Sequence, residues 1–139
     1  MKNNRAESLV AITVSVALIS LLLIFIIEQA TKLNITQNES AAQASLKLVS
    51  AALENYSKDH QGTFPLTILA LTQGTPAYLD HDYLNDSSFK GYRYDCSRLE
   101  ASGYQCQAKP LHCRLSGKNI FSVTTGGVLG AVSCQIKEE

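Results

Sequence analysis

The sequence carries no excess of either charge: twelve Lys and Arg balance twelve Asp and Glu across 139 residues. A nucleic-acid binder announces itself by a clustered basic surface, and with none to point to, no nucleic-acid partner is expected. Cysteine is absent until Cys96, and the four present (Cys96, Cys106, Cys113, Cys134) lack the close C-x2-4-C pairs of structural zinc sites. The His112–Cys113 neighbourhood is therefore not assigned a metal, and no cofactor is expected. The one Gly-Gly pair, Gly126-Gly127, has no strand-loop-helix context for phosphate and reads as a turn. No acid–base or nucleophile constellation stands out, so an enzyme is not the expected class.

The most informative absence lies near the N-terminus. From Ser8 to Ile27, SLVAITVSVALISLLLIFII contains no charge, no Gly and no Pro, and Glu7 and Glu28 bound it. At ~1.5 Å per residue this run is about 30 Å long, the thickness of a bilayer's hydrocarbon core. A buried helix of a soluble protein is the alternative, but the rest of the chain offers little apolar material to wrap it. A cleaved secretory signal is the other, yet the run exceeds the usual ~7–15 apolar residues and Glu28-Gln29-Ala30-Thr31-Lys32 makes a poor cleavage site. Lys2 and Arg5 precede the run, which places the N-terminus in the cytoplasm and the remainder outside. An outer location agrees with four cysteines in a small domain, where disulfides compensate for a limited core.

Helical periodicity resumes beyond the run. Ala42, Leu46, Val49, Leu53 and Tyr56 fall on one face, with Ala41, Leu48 and Ala52 beside them. Asp59-His60-Gln61-Gly62 followed by Pro65 ends the pattern. Between Asn34 and Ser40, Thr36-x-x-Glu39 and Ser40-x-x-Gln43 resemble capping boxes and mark a candidate break. Unbroken from Glu7 to Lys58, the helix would be about 78 Å long at ~1.5 Å per residue.

A short basic leader, an apolar helix, an amphipathic continuation and a small outer domain resemble type IV pilins and type II secretion pseudopilins. Met1 to Ala6 (MKNNRA) is similar to a prepilin leader, Glu7-Ser8-Leu9-Val10-Ala11 to the opening of the pilin helix, and LKLVSAALENYSKDHQGTFP (46–65) to the pilin segment where helix gives way to a Gly-Thr-aromatic-Pro turn. The chain departs from the family in having Ala6-Glu7 where leaders end in Gly-Phe, and Ala11 where the fifth mature position carries glutamate. The resemblance implies processing between Ala6 and Glu7, since a small residue suits a narrow peptidase pocket, and assembly through Glu7. It also implies a prepilin peptidase, an inner-membrane assembly platform, membrane lipid, and copies of itself or related subunits as partners. The family's mid-membrane proline is missing, so no melted segment is expected.

The expected fold is α+β: a long N-terminal helix, transmembrane then amphipathic, packed on a small antiparallel sheet. Its parts are a leader (1–6), a membrane or filament-core helix (7–28), its amphipathic continuation (29–58) and a disulfide-stapled sheet domain (59–139). LTILALTQ (66–73) supplies a helical turn within the loop-rich region 62–90. GYRYDC (91–96), YQCQAKPL (104–111), NIFSVTT (119–125) and VLGAVSC (128–134) read as strands, their tyrosines as packing residues. A two-residue Gly126-Gly127 hairpin would oppose Thr125 to Val128, Val123 to Gly130 and Phe121 to Val132, with Phe121, Val123, Val128 and Val132 on one face. Cys96 would face Cys106 across the first hairpin, with Tyr94 opposite Ala108, and Cys113 would tie to Cys134. Asp80 to Asp86 is an oxygen-rich loop without the Gly and terminal Glu of an EF-hand. Function is expected to be structural, as a subunit of a pilus or pseudopilus stored in the inner membrane and assembled into an extracellular or periplasmic filament. The rival is a signal-anchored binding or sensing domain that never polymerises.

Overall fold

The computed structural model describes residues 3–85 and 88–135, with side chains from Leu9 onward. The first helix, α1 (Asn3–Asp59), is followed by a one-turn helix, α2 (Leu69–Thr72), and four strands: β1 (Tyr92–Glu100), β2 (Gly103–Pro110), β3 (Asn119–Thr124) and β4 (Val128–Ser133). The strands form one antiparallel sheet in the order β1-β2-β3-β4, so the architecture is α+β. Contacts divide the chain after Asn34 into the N-terminal part of α1 and a compact unit beginning at Ile35. The second half of α1 is thus part of the sheet domain's own core.

That core follows from the helical stripe. Ala42, Leu46, Val49 and Leu53 are all buried, as is Ala52, while Tyr56 is half-buried and Leu48 points to solvent. Against this stripe the sheet presents Tyr92, Tyr94, Tyr104, Ala108, Phe121 and Val123. Alternation places them there: in β1 and β2, Tyr92, Tyr94, Cys106 and Ala108 point inward, and their neighbours Arg93, Asp95, Gln105 and Lys109 point out. Full burial of each large apolar side chain is worth roughly 1.5–3 kcal/mol. Phe64, Ile68, Leu71, Leu79 and Tyr83 from the 62–90 region close the rest of the core.

The end of α1 has a local cause. Gln61 takes a positive φ of 57°, and Gly62 N–H bonds back to Ser57 C=O at 2.8 Å, which matches a Schellman cap. Of the two courses left open at Asn34–Ser40, the chain takes the unbroken one, since α1 is helical throughout. The polar side chains there serve the sheet domain instead: Asn38 Nδ2 donates to Ser116 C=O at 3.0 Å, and Glu39 Oε1 accepts from Lys118 N–H at 2.7 Å and Asn119 N–H at 3.1 Å.

The first hairpin has the expected register, Cys96 opposite Cys106 and Tyr94 opposite Ala108, with an irregularity between Cys96 and Arg98 that carries β1 on to Glu100. The second hairpin corrects the two-residue reading. Thr124 pairs with Val128, Phe121 with Ala131 and Ile120 with Val132, so the loop is Thr125-Gly126-Gly127. Thr125 is bonded to β2 instead: its N–H donates to Tyr104 C=O at 3.1 Å, and its Oγ1 accepts Tyr104 N–H at 2.8 Å. The one-residue shift turns β4 over, as a period of two requires. Leu129 packs on the core, while Val128 and Val132 stay 65% and 68% exposed on the outer face.

Candidate functional site

Two parts of the molecule carry chemistry relevant to function: the apolar length of α1, and the contacts that fasten the second half of α1 to the sheet. From Leu9 to Ile27 every described residue of α1 is exposed, so the most hydrophobic part of the chain has no cover of its own. Its hydroxyls are satisfied within the helix. Thr13 Oγ1 donates to Val10 C=O at 2.9 Å, Ser15 Oγ to Ala11 C=O at 2.8 Å, and Ser20 Oγ to Val16 C=O at 2.8 Å. In a medium without water an unpaired hydroxyl is costly, and this back-bonding removes the cost. By length and composition α1 is suited to cross a membrane.

At the other part, two glutamates of α1 grip the two ends of β3. Glu39 receives the backbone N–H groups that open β3, and also Asn119 Nδ2 at 3.2 Å. Glu54 Oε1 accepts Gly126 N–H at 2.7 Å, in the β3–β4 loop, and Tyr104 Oη–H at 2.9 Å. With the Tyr104 proton given to Glu54, Ser50 Oγ–H donates to Tyr104 Oη across 2.8 Å. Hydrogen bonds to a carboxylate are stronger than neutral ones, and each glutamate fixes a loop that the hydrophobic stripe alone would leave free to shift. Burial pushes the Tyr104 hydroxyl up to about 12, with the Glu54 carboxylate adding to the rise. Burial pushes Tyr92 up to about 12 as well, helped by Glu39.

Two disulfides hold the sheet's periphery. Cys96–Cys106 joins directly opposed positions of β1 and β2, and Cys113–Cys134 ties the loop before β3 to the residue after β4. These are the two pairs named from the sequence. Cross-links of this kind typically contribute about 2–4 kcal/mol. Ala6 and Glu7, the expected processing and assembly residues, lie outside the residues whose side chains are described. In the oxygen-rich loop, Asp82 Oδ1 accepts the N–H groups of Leu84 (3.1 Å) and Asn85 (3.2 Å), so that carboxylate closes a turn; Asp86 is outside the described residues. Among the described residues no three His, Cys, Asp or Glu side chains come together as metal ligands.

Sequence reasoning missed Glu39 and Glu54 as clamps, having read Glu39 as part of a capping box. A signal was present: two acids on an otherwise apolar-faced helix, each placed beside the buried stripe. Most of their partners are backbone groups, which no residue pattern advertises. No protein-family model matches the chain, and neither a curated protein nor a solved structure does.

Proposed function

We infer that this chain is a pilin-like structural subunit, held in the inner membrane by residues 7–28 and assembled into a type IV pilus or a type II secretion pseudopilus through the same segment. The observation that carries this reading is the division of one uninterrupted helix. Its first length is apolar on all sides and uncovered, and its second is built into a small stapled sheet domain. An anchor alone needs only a span. A helix that is apolar all round suits both lipid and a bundle of neighbouring helices, because both are dry. In this reading a prepilin peptidase cuts between Ala6 and Glu7, and an assembly platform moves the subunit out of the membrane. The N-terminus faces the cytoplasm and the disulfides form outside. Glu7, bearing both the new amine and a carboxylate, pairs reciprocally with the same groups of an adjacent subunit, since a charge at the edge of an apolar bundle is costly unless paired.

The test is Glu7→Gln, which removes the charge and keeps the shape. The expected outcome is loss from the sheared filament fraction, with unchanged accumulation in the membrane and both disulfides formed. Filament incorporation at wild-type levels would refute the assembly role. If the unaltered chain stays in the membrane with its leader intact in cells that process and assemble other pilins, the signal-anchored binding domain is the better reading.

A further inference from the structure

The charge on the sheet domain is unevenly placed. From Ala101 to Gln135 the sequence contains no Asp or Glu. Lys109 closes β2, Arg114 lies in the loop that follows, and Lys118 precedes β3; Arg93, opposite Lys109 across the first hairpin, joins them. Like charges directly opposed on a sheet face destabilise the pair unless an anion lies between them. All four side chains are exposed, and none forms an ion pair among the described residues. Arg98, at the far end of β1, does pair, with Glu100 at 3.6 Å.

The same end of the domain exposes leucine. Leu115 is 68% exposed and Leu111 40%, both in the loop 111–118, and Leu111 shares a shallow hollow with Arg93, Lys109 and Pro110. That loop is held in shape. Cys113 is bonded to Cys134, Arg114 N–H donates to Gly117 C=O at 2.8 Å, and Ser116 Oγ donates to His112 C=O at 3.0 Å. Two leucines exposed on a fixed loop, with Arg93 and Lys109 beside Leu111, have no use in the domain's own core.

This end of the domain is also the one nearer in sequence to the apolar run. Ser116 and Lys118 are bonded to Asn38 and Glu39 of α1. Asn38 follows the last residue of the apolar run, Ile27, by only 11 positions (38 − 27). The opposite end, where Glu54 holds Gly126, follows it by 27 (54 − 27). The basic, leucine-bearing end is therefore the tethered end.

We propose that loop 111–118 is a membrane-docking site: Leu111 and Leu115 enter the interfacial layer of the bilayer that α1 anchors in, while Arg93, Lys109, Arg114 and Lys118 bind anionic lipid headgroups. Interfacial association grows with both buried apolar area and attraction to anionic lipid, and this loop offers both. The site rests on the membrane reading of α1 and adds to it a resting posture for the outer domain, lying on the bilayer until the subunit is withdrawn. It does not depend on polymerisation.

The chain has no tryptophan, so one introduced indole reports its own surroundings. Leu115→Trp, Val128→Trp (at the distal hairpin) and Leu18→Trp (inside the apolar run) would each be made in the full chain. Each would be reconstituted in vesicles of phosphatidylcholine alone or with phosphatidylglycerol, carrying a nitroxide quencher at headgroup depth or in the acyl chains. Mass spectrometry would verify both disulfides. The expected result is headgroup-depth quenching of Leu115→Trp that strengthens with phosphatidylglycerol, against Val128→Trp accessible to aqueous acrylamide. Replacing Arg93, Lys109 and Arg114 with Gln should release the loop, each neutralised side chain lowering the docking equilibrium roughly fivefold. If Leu115→Trp is as open to acrylamide as Val128→Trp while Leu18→Trp is quenched by acyl-chain label, the docking site is wrong and the membrane reading stands. Quenching indifferent to phosphatidylglycerol and to the Gln substitutions also overturns it. If Leu18→Trp itself escapes quenching, the membrane reading fails and the docking site with it.

Discussion

Gly117→Ala is expected to destabilise the sheet domain by about 3 kcal/mol or more, the upper range for forcing extra volume into a packed core. A Cβ at Gly117 would fall inside the Tyr92 hydroxyl and come within 2.5 Å of Tyr92 Cζ and 2.7 Å of Cε2. Tyr92 cannot retreat. It is fully buried between the helix stripe and Phe121, and its hydroxyl donates to Asn119 C=O at 2.9 Å, next to the Glu39 clamp. Gly126→Ala is the comparison. A Cβ there meets nothing within 4 Å, but φ is +86°, so only the left-handed backbone cost of roughly 1–2 kcal/mol applies. Thermal or denaturant unfolding of both variants should rank Gly117→Ala as clearly the more damaging. Equal effects would mean that the Tyr92 contact is not the constraint.

The second large effect is expected at the middle of the apolar run. Leu18→Asp places a carboxylate at a position of α1 that is 57% exposed and within the apolar run. At the centre of a spanning helix Asp costs about 2.5–3.5 kcal/mol on insertion scales, and the lost leucine adds a few tenths. The equilibrium constant for insertion should fall roughly a hundredfold, by the tenfold-per-1.4 kcal/mol conversion. The sheet domain should be indifferent, because its core begins at Ile35. Carbonate extraction of membranes measures the first outcome, and non-reducing peptide mass mapping of both disulfides measures the second. An insertion equilibrium unchanged by Leu18→Asp would contradict the membrane reading, and loss of the disulfides would contradict the independence of the two units.

Much of this architecture was legible because it rests on periodicity. The 3.6-residue stripe Ala42-Leu46-Val49-Leu53 and the two-residue alternation around Tyr92, Tyr94 and Ala108 each name a buried face without reference to any partner. The Cys96–Cys106 pair followed from the same alternation once the first hairpin was placed. The second hairpin was misread because its register depends on Thr125, whose backbone and hydroxyl are committed to Tyr104 on a third strand. Nothing in TTGGV reveals that commitment, and Gly126-Gly127 is equally suited to a two-residue loop. Asn38, Glu39 and Gly117 were opaque for a related reason. Their roles lie in contacts with residues about eighty positions away, or in making room for a single ring, and neither leaves a local pattern. The cationic end of the sheet was hidden by a net charge of zero. Only the topology brings Arg93, Lys109 and Lys118 together.

If one helix serves two units, the outer unit should fold without the apolar length. The direct measurement is made on the fragment from Gln29 to Glu139, produced in an oxidising compartment, by light scattering with size exclusion, circular dichroism and non-reducing mass mapping. The predicted result is a soluble monomer with mixed helix and sheet signal, one cooperative unfolding transition, and the bridges Cys96–Cys106 and Cys113–Cys134. A fragment that aggregates, shows an unfolded spectrum, or carries a Cys106–Cys113 bridge would contradict it.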